Sequence, residues 1–310
     1  MNSNHPQRAV LGLAIALCLA RAAPAGAAGE EPPVPATGAE APSAQPEPDA
    51  AALTFGMTPV VGVASTRTRF APLAAHLAEQ LGRPVQLLVT GSYGELVDRV
   101  ARGQVDLVKL SPLAYVRARH RLPELELIAL QVARGSTDYS SYLVARRDNP
   151  HARRSRLAGA RACFADPGST SGYLFPLAWL RRNDLDPDTA LGAIAFGGDH
   201  RACLEGLFAG RWDVAATWTG ALRDARAAGR PVGDLVIVAK TGRIPYDAWC
   251  LRPGLDGGLS RAIRRILLRT NSLDREGRRV LAPTLGINGW VPVADETYDG
   301  VRRVEAELAR

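Results

Sequence analysis

Short apolar runs alternate with segments of helical periodicity along most of this 310-residue chain. The first pair is an apolar run over 54–61, followed by Leu73, Leu77 and Leu81 on one face of a helix predicted over 70–81. Further strands are predicted over 85–90, 105–110, 125–132, 141–146, 162–165, 193–196, 213–217 and 235–239. Helices are predicted over 93–102, 170–182, 199–209 and up to about 228, with three more helical segments towards the C-terminus. This alternation is typical of an α/β protein.

The alternation falls into two similar units. A glycine that stops a helix leads into a strand at Gly103-Gln-Val-Asp106, and again at Gly210-Arg-Trp-Asp213. We therefore expect two α/β lobes joined by a hinge, with a ligand cleft where strand ends and helix N-termini converge. The expected lobes are residues 53–145 with 246–310, and residues 146–245.

The N-terminal segment has the composition of a secretory signal. Within residues 1–27, Arg8 precedes an apolar run that is too short to span a bilayer, and Ala25-Gly26-Ala27 offers a small-x-small cleavage site. Residues 28–52 are rich in Pro, Ala and Glu without apolar periodicity, which predicts a disordered linker. The mature protein is expected to be exported.

The chain carries a formal net charge of +7, from 38 Lys and Arg against 31 Asp and Glu. No nucleic-acid-binding motif and no interleaving of basic and aromatic residues accompanies this charge, so a nucleic-acid partner is not expected. Attraction of anionic solutes suits an exported protein better.

Three cysteines follow the signal segment: Cys163, Cys203 and Cys250. An oxidising compartment would allow one disulfide and leave one thiol, and the sequence does not assign the pair. Their spacing fits no zinc motif, and all three lie in apolar segments, so buried free thiols are the default expectation.

The segment from Cys163 to Tyr173 carries the clearest chemistry. A short apolar run meets Asp166-Pro-Gly168, and three hydroxyl residues, Ser169, Thr170 and Ser171, then open an apolar periodic segment. Unpaired backbone N–H groups and the helix dipole make such a corner an anion site, and hydroxyls add uncharged donors. An ordinary N-cap is the alternative for a single hydroxyl. A nucleophile elbow would place Thr170 at its centre, and no base can be assigned by spacing, so an enzyme is not expected.

The run Phe164-Ala-Asp-Pro-Gly-Ser-Thr-Ser-Gly-Tyr173 closely resembles the phosphonate-binding family of periplasmic solute-binding proteins, which serve ABC importers of phosphonate, phosphite and related oxyanions. The resemblance covers roughly residues 53–290. Its other motifs are Phe55-Gly56, Gly103-Gln-Val-Asp106, Ser111-Pro-Leu-Ala-Tyr115, Gly197-Gly-Asp-His200, Gly210-Arg-Trp-Asp213 and Arg243-Ile-Pro-Tyr-Asp247.

The resemblance implies a bilobal type II periplasmic-binding-protein fold, α/β in class, that closes over its ligand without a cofactor or a metal. It implies oxyanion contacts from the three hydroxyls. The other ligand-binding residues that it implies are Tyr93, Tyr139, His200, Asp247 and Trp218. In the family pattern the histidine faces the ligand, so its protonation is expected to make affinity depend on pH.

Two positions depart from the family pattern. Members that bind aminophosphonates carry an acidic residue, which pairs with the ligand ammonium, where this chain has Gly220 with Trp218 nearby. Lys109 lies in an apolar strand where the family usually has an aromatic or apolar residue. It could reach the oxyanion, pair with a carboxylate, or extend outward to solvent.

Together these features predict a monomeric periplasmic protein that delivers phosphonate, phosphite or a phosphate-like oxyanion to an ABC permease in the inner membrane. The alternative is a periplasmic oxyanion sensor that signals to a membrane histidine kinase. Related proteins of the superfamily bind arsenite, and Cys203, three residues after His200, is the residue that would favour such a ligand.

Overall fold

The structure is a computed structural model that describes residues 52–309. The expected signal peptide and almost all of the expected linker lie outside the described residues. The strands are β1 (Leu53–Met57), β2 (Val85–Val89), β3 (Leu107–Leu110), β4 (Glu126–Ala133), β5 (Asp138–Arg146), β6 (Arg161–Phe164), β7 (Ala193–Phe196), β8 (Val214–Trp218), β9 (Leu235–Pro245), β10 (Ala248–Leu251) and β11 (Ile287–Val291). The helices are α1 (Val63–Leu81), α2 (Tyr93–Ala101), α3 (Pro112–Arg121), α4 (Phe175–Arg181), α5 (Pro187–Ala190), α6 (His200–Phe208), α7 (Thr219–Ala227), α8 (Gly257–Arg269), α9 (Arg275–Leu281) and α10 (Asp299–Leu308).

The first sheet has six strands in the order β11-β4-β10-β3-β1-β2. Strands β1, β2 and β3 are parallel, whereas β10 and β11 pair antiparallel with their neighbours. Its core includes Phe55, Trp249 and Trp290, with ring centroids 5.2 Å apart for the first two and 5.0 Å apart for the last two. Burial of such large aromatic side chains stabilises this half of the molecule.

The second sheet has five strands in the order β7-β6-β8-β5-β9. Strand β5 pairs antiparallel with both β8 and β9. The boundary expected after residue 145 assigned this strand to the first lobe, and the observed pairing corrects that assignment. Leu143, Val144 and Ala145 of this strand are apolar and buried, a pattern that either sheet could accommodate, so the sequence alone did not distinguish the two.

The C-terminal part returns to the first sheet, as expected, because β10 lies between β3 and β4. The three helical segments expected there are α8, α9 and α10, but β10 and β11 were not anticipated. Helix α10 lies against both α3 and α4. Its Glu305 pairs with Arg117 of α3 at 2.7 Å, and Glu307 pairs with Arg182, which follows α4.

Cys163 and Cys203 form a disulfide that joins β6 to α6, whereas Cys250 is a buried free thiol. The default expectation of free thiols is therefore wrong for the first two residues and confirmed for the third. Within residues 52–309, no helix combines the length and the apolar character that a membrane crossing needs.

Candidate functional site

A cavity of about 40 Å3 lies among residues from both sheets. All eight residues expected to bind ligand line it: Tyr93, Tyr139, Ser169, Thr170, Ser171, His200, Trp218 and Asp247. The volume corresponds to about three water-sized positions. The cavity is therefore matched to a very small solute.

The Asp166-Pro-Gly turn shapes the start of the hydroxyl segment. The Asp166 carboxylate accepts a hydrogen bond from the Gly168 N–H at 2.6 Å, and Ser169 caps the following turn by accepting from the Gly172 N–H at 3.0 Å. The predicted helix over 170–182 begins as a π-helical turn, Thr170–Leu174, before α4. Such wide turns occur often at functional sites, and the first two residues of this one, Thr170 and Ser171, line the cavity.

The hydroxyls of this segment are arranged as donors. Thr170 Oγ1 accepts a hydrogen bond from the Leu113 N–H at 2.8 Å, and Ser169 Oγ already accepts from Gly172. A hydroxyl whose lone pair is occupied by a backbone N–H still has its own hydrogen to donate. Both side chains are almost fully buried and line the cavity, and Ser169 also lies within hydrogen-bond reach of the Tyr93 phenol.

Tyr93 and Tyr139 add two phenolic hydroxyls. Burial is the main cause that raises the pKa of both, and the nearby Asp247 carboxylate raises the pKa of each further. Both phenols therefore stay protonated and can donate to an anion. Tyr93 opens α2, whose N-cap Ser92 accepts from the Glu95 N–H at 3.1 Å, so the residue is placed by ordinary capping chemistry.

His200 opens α6 behind its N-cap, Asp199, which accepts from the Ala202 N–H at 2.8 Å. Burial lowers the pKa of His200 from 6.5 to about 4, and a hydrogen bond to the backbone of Ala216 opposes this only in part. The imidazole is therefore neutral across the neutral pH range. With this low pKa we do not expect protonation of His200 to make affinity vary in that range, and its burial, which is the cause, could not be read from the sequence.

Trp218 belongs to an aromatic cluster on one side of the cavity. Its ring lies 5.3 Å from that of Tyr139, which stacks on Tyr246 at 4.8 Å. A Cβ added to Gly220 would lie 2.0 Å from the Trp218 ring, and Gly220 is not among the residues that line the cavity. The glycine therefore makes room for the tryptophan.

Lys109 is paired with Asp247. Its Nζ bonds Asp247 Oδ2, and the two side chains are only 5% and 16% exposed. Nζ also lies 5.8 Å from the centroid of the Phe70 ring. Of the three positions considered for Lys109, the structure shows pairing with a carboxylate, inside the cavity wall.

Other lining residues escaped the sequence analysis as site residues. Thr58 and Ser111 each follow the carboxyl end of a strand, β1 and β3, which is a signal that could have found them. Gln131 lies within β4, and its buried Oε1 has no hydrogen-bond partner among the described residues. No local signal marks Gln131, because its position depends on sheet pairing.

The lining of the cavity is rich in hydroxyl groups, which can donate hydrogen bonds to an anion. Hydroxyl donors dominate, and the His/Glu grouping able to approach metal-site geometry, His76 with Glu79 and Glu276, lies elsewhere. Cys203 is bonded to Cys163 and offers no thiol. The feature that would have favoured arsenite is therefore removed, since a disulfide sulfur is not a thiolate ligand.

Comparison with known proteins agrees with this geometry. Residues 55–298 match the family described as ABC transporter, phosphonate, periplasmic substrate-binding protein. The phosphate-import protein PhnD of Mycolicibacterium smegmatis is 30% identical over 169 residues, which is 53% of this chain and 50% of that protein. The chain thus spans about half the length of this curated relative.

Two solved structures share the fold. A binding protein component of an ABC phosphonate transporter from Pseudomonas aeruginosa is 21% identical, with a TM-score of 0.76 over 82% of this chain and 85% of that one. PhnD1 from Prochlorococcus marinus, solved with methylphosphonate, is 18% identical, with a TM-score of 0.76 over 83% and 98%. These likenesses confirm the expected type II periplasmic-binding-protein fold.

The family match spans most of the chain, and its members are periplasmic binding proteins and not enzymes. The chain therefore belongs to the family of periplasmic substrate-binding proteins of phosphonate ABC transporters.

Proposed function

We propose that the protein captures a small phosphorus oxyanion, namely phosphate, phosphite or a short alkylphosphonate, in this cavity and delivers it to an ABC permease. The observation that carries the proposal is the set of buried hydroxyl donors at the start of the π-helical turn, joined by Tyr93 and Tyr139. The relatives' descriptions as a phosphate importer and a methylphosphonate-bound protein support the same ligand class.

Neutral donors suit such a ligand. Hydrogen bonds to a charged group contribute about 1.5–3 kcal/mol each, and in a buried site of low local dielectric they are stronger than in water. The lobes on either side of the cavity close over the ligand, and a monomer in the closed form is what the permease recognises.

Calorimetry with phosphate, phosphite, methylphosphonate and sulfate tests the ligand class. Thr170→Val removes the donor hydroxyl at nearly constant volume and should weaken binding of the best oxyanion at least tenfold, which is about 1.4 kcal/mol. Thr170→Ser keeps the hydroxyl and should bind within a few-fold of the native protein. Thr68→Val, on an exposed face of α1, is the matched control.

The variants must first be shown to fold, because Thr170 also accepts from the Leu113 N–H. If folded Thr170→Val bound its oxyanion as tightly as the native protein, the site would lie elsewhere. Uptake then tests the transport step: deletion of the gene should abolish import of the radiolabelled oxyanion. Intact uptake with altered gene expression would instead indicate the sensor alternative.

A further inference from the structure

Lys109 is a charged residue in an apolar, buried strand. It lies in β3, a strand of four buried residues whose other members are Leu107, Val108 and Leu110. Lysine is seldom buried unless it is paired, because removing an ammonium from water is costly. Here it is 4% exposed, and its partner Asp247 immediately precedes β10, the strand that pairs with β3.

The ion pair of Lys109 and Asp247 determines the net charge of the cavity. The lining tyrosines are protonated, and the lining histidine is neutral at neutral pH. Among the described residues that line the cavity, Lys109 and Asp247 are then the two that carry charge, and they cancel. The cavity offers an incoming anion neutral donors and one ammonium, and it offers an incoming cation no unpaired carboxylate.

The position of the ammonium decides what else fits. A ligand that carries both an oxyanion and an amine needs a carboxylate near the amine, and Asp247 is the carboxylate that lines this cavity. Its oxygen is already bonded by Lys109 Nζ. A ligand ammonium beside Asp247 would find this carboxylate already paired, and it would be repelled by the ammonium of Lys109 at close range.

We propose that Lys109 is a specificity-determining residue: its side chain occupies the place beside Asp247 that a ligand amine would take. The cavity consequently accepts amine-free oxyanions and rejects zwitterionic aminoalkylphosphonates. This inference rests on the proposed function, since it concerns which members of the oxyanion class the same site admits.

Two ligands of matched size separate charge from volume. In 2-aminoethylphosphonate and propylphosphonate the chain attached to phosphorus has three heavy atoms, and only the first ends in an ammonium. Affinities of both, with methylphosphonate as the reference, are measured by calorimetry for the native protein and for Lys109→Met. The native protein should bind the amine at least tenfold more weakly than methylphosphonate. Lys109→Met should raise the affinity of the amine relative to propylphosphonate at least tenfold.

A double variant tests whether the gain depends on Asp247. Lys109→Met with Asp247→Asn removes both charges, and the relative gain for the amine should disappear. Because Lys109→Met leaves a buried carboxylate without its partner, Lys109→Gln is prepared in parallel, since it keeps a hydrogen-bond donor for Asp247 without the charge. The same relative gain is expected of Lys109→Gln.

The possible failures differ. If the native protein bound methylphosphonate and 2-aminoethylphosphonate equally well, or if neither Lys109 variant shifted the amine-to-propyl ratio, the role of Lys109 would be refuted and the proposed function would stand. If the native protein bound no phosphorus oxyanion in the panel, the proposed function would itself fall, and this inference with it.

Discussion

We expect the buried imidazole of His200 to make the stability of the protein, rather than its affinity for ligand, depend on pH. Burial places its pKa at about 4 in the folded protein, against 6.5 for an unperturbed histidine. The folded state therefore favours the neutral ring, and the unfolded state binds a proton more readily. The stability contributed by the neutral form is complete above pH 6.5 and is lost as the pH falls towards 4.

The size of the effect follows from the two pKa values. The full difference corresponds to about 3 kcal/mol of unfolding free energy, and about 2 kcal/mol of it is lost between pH 7.5 and pH 5. Other groups titrate in the same pH range, so the unfolding free energy of the native protein is compared with that of a variant that has no titratable group at position 200. In the native ring Nδ1 has no hydrogen-bond partner among the described residues, so the other ring nitrogen makes the bond to the Ala216 backbone. His200→Gln keeps one N–H donor for that bond and cannot titrate.

Urea denaturation at both pH values supplies the test. Between pH 7.5 and pH 5, the free energy of unfolding of the native protein should fall by about 2 kcal/mol more than that of His200→Gln. The ratio of oxyanion affinities of the two proteins should stay constant from pH 5.5 to 8, because titration of the ligand affects both equally. Equal acid sensitivity of the two proteins, or an NMR titration midpoint for His200 above pH 6, would refute the reasoning.

Two further predictions concern stability. The Cys163–Cys203 bond closes a loop with a sequence separation of 40, so Cys163→Ala/Cys203→Ala should lower the unfolding free energy by about 4 kcal/mol in the chain-entropy treatment. Guanidinium denaturation with and without reductant measures this loss. If reductant did not change the unfolding free energy of the native protein, the prediction would be wrong. Gly220→Ala should destabilise by about 1–3 kcal/mol and weaken oxyanion binding, because its new methyl group would overlap the Trp218 ring. The matched control Gly94→Ala, in α2 with no atom within 4 Å of the new methyl group, should stabilise by about 0.5–1 kcal/mol, and equal effects of the two substitutions would count against the packing argument.

The expectations that the structure confirms rest on patterns of residues close together in the sequence. Helical periodicity over 70–81 and the apolar runs at 85–90 and 193–196 depend on neighbouring residues, and the structure has α1, β2 and β7 there. The turn at Asp166-Pro-Gly168 and the cap at Ser169 are equally local. The eight lining residues came from the family resemblance together with these motifs, and a shared backbone geometry brings them to one cavity.

Sheet membership and protonation were beyond such reasoning. Strand β5 joins the second sheet, and β10 and β11 complete the first, because hydrogen bonding between strands is settled by the whole fold. The choice of Cys163 and Cys203 as the bonded pair depends on β6 and α6 lying side by side. The low pKa of His200 depends on burial by residues distant in sequence.

By itself, then, the sequence determined the alternating α/β elements, the family, and the hydroxyl-rich turn, since each is written in residues close together along the chain. Only the tertiary structure decided the charge of the site. Lys109 and Asp247 are 138 residues apart and meet because β3 and β10 pair in one sheet. A lone lysine and a lone aspartate each suggest a ligand contact, whereas as an ion pair their charges sum to zero, and that cancellation depends on their distance in space.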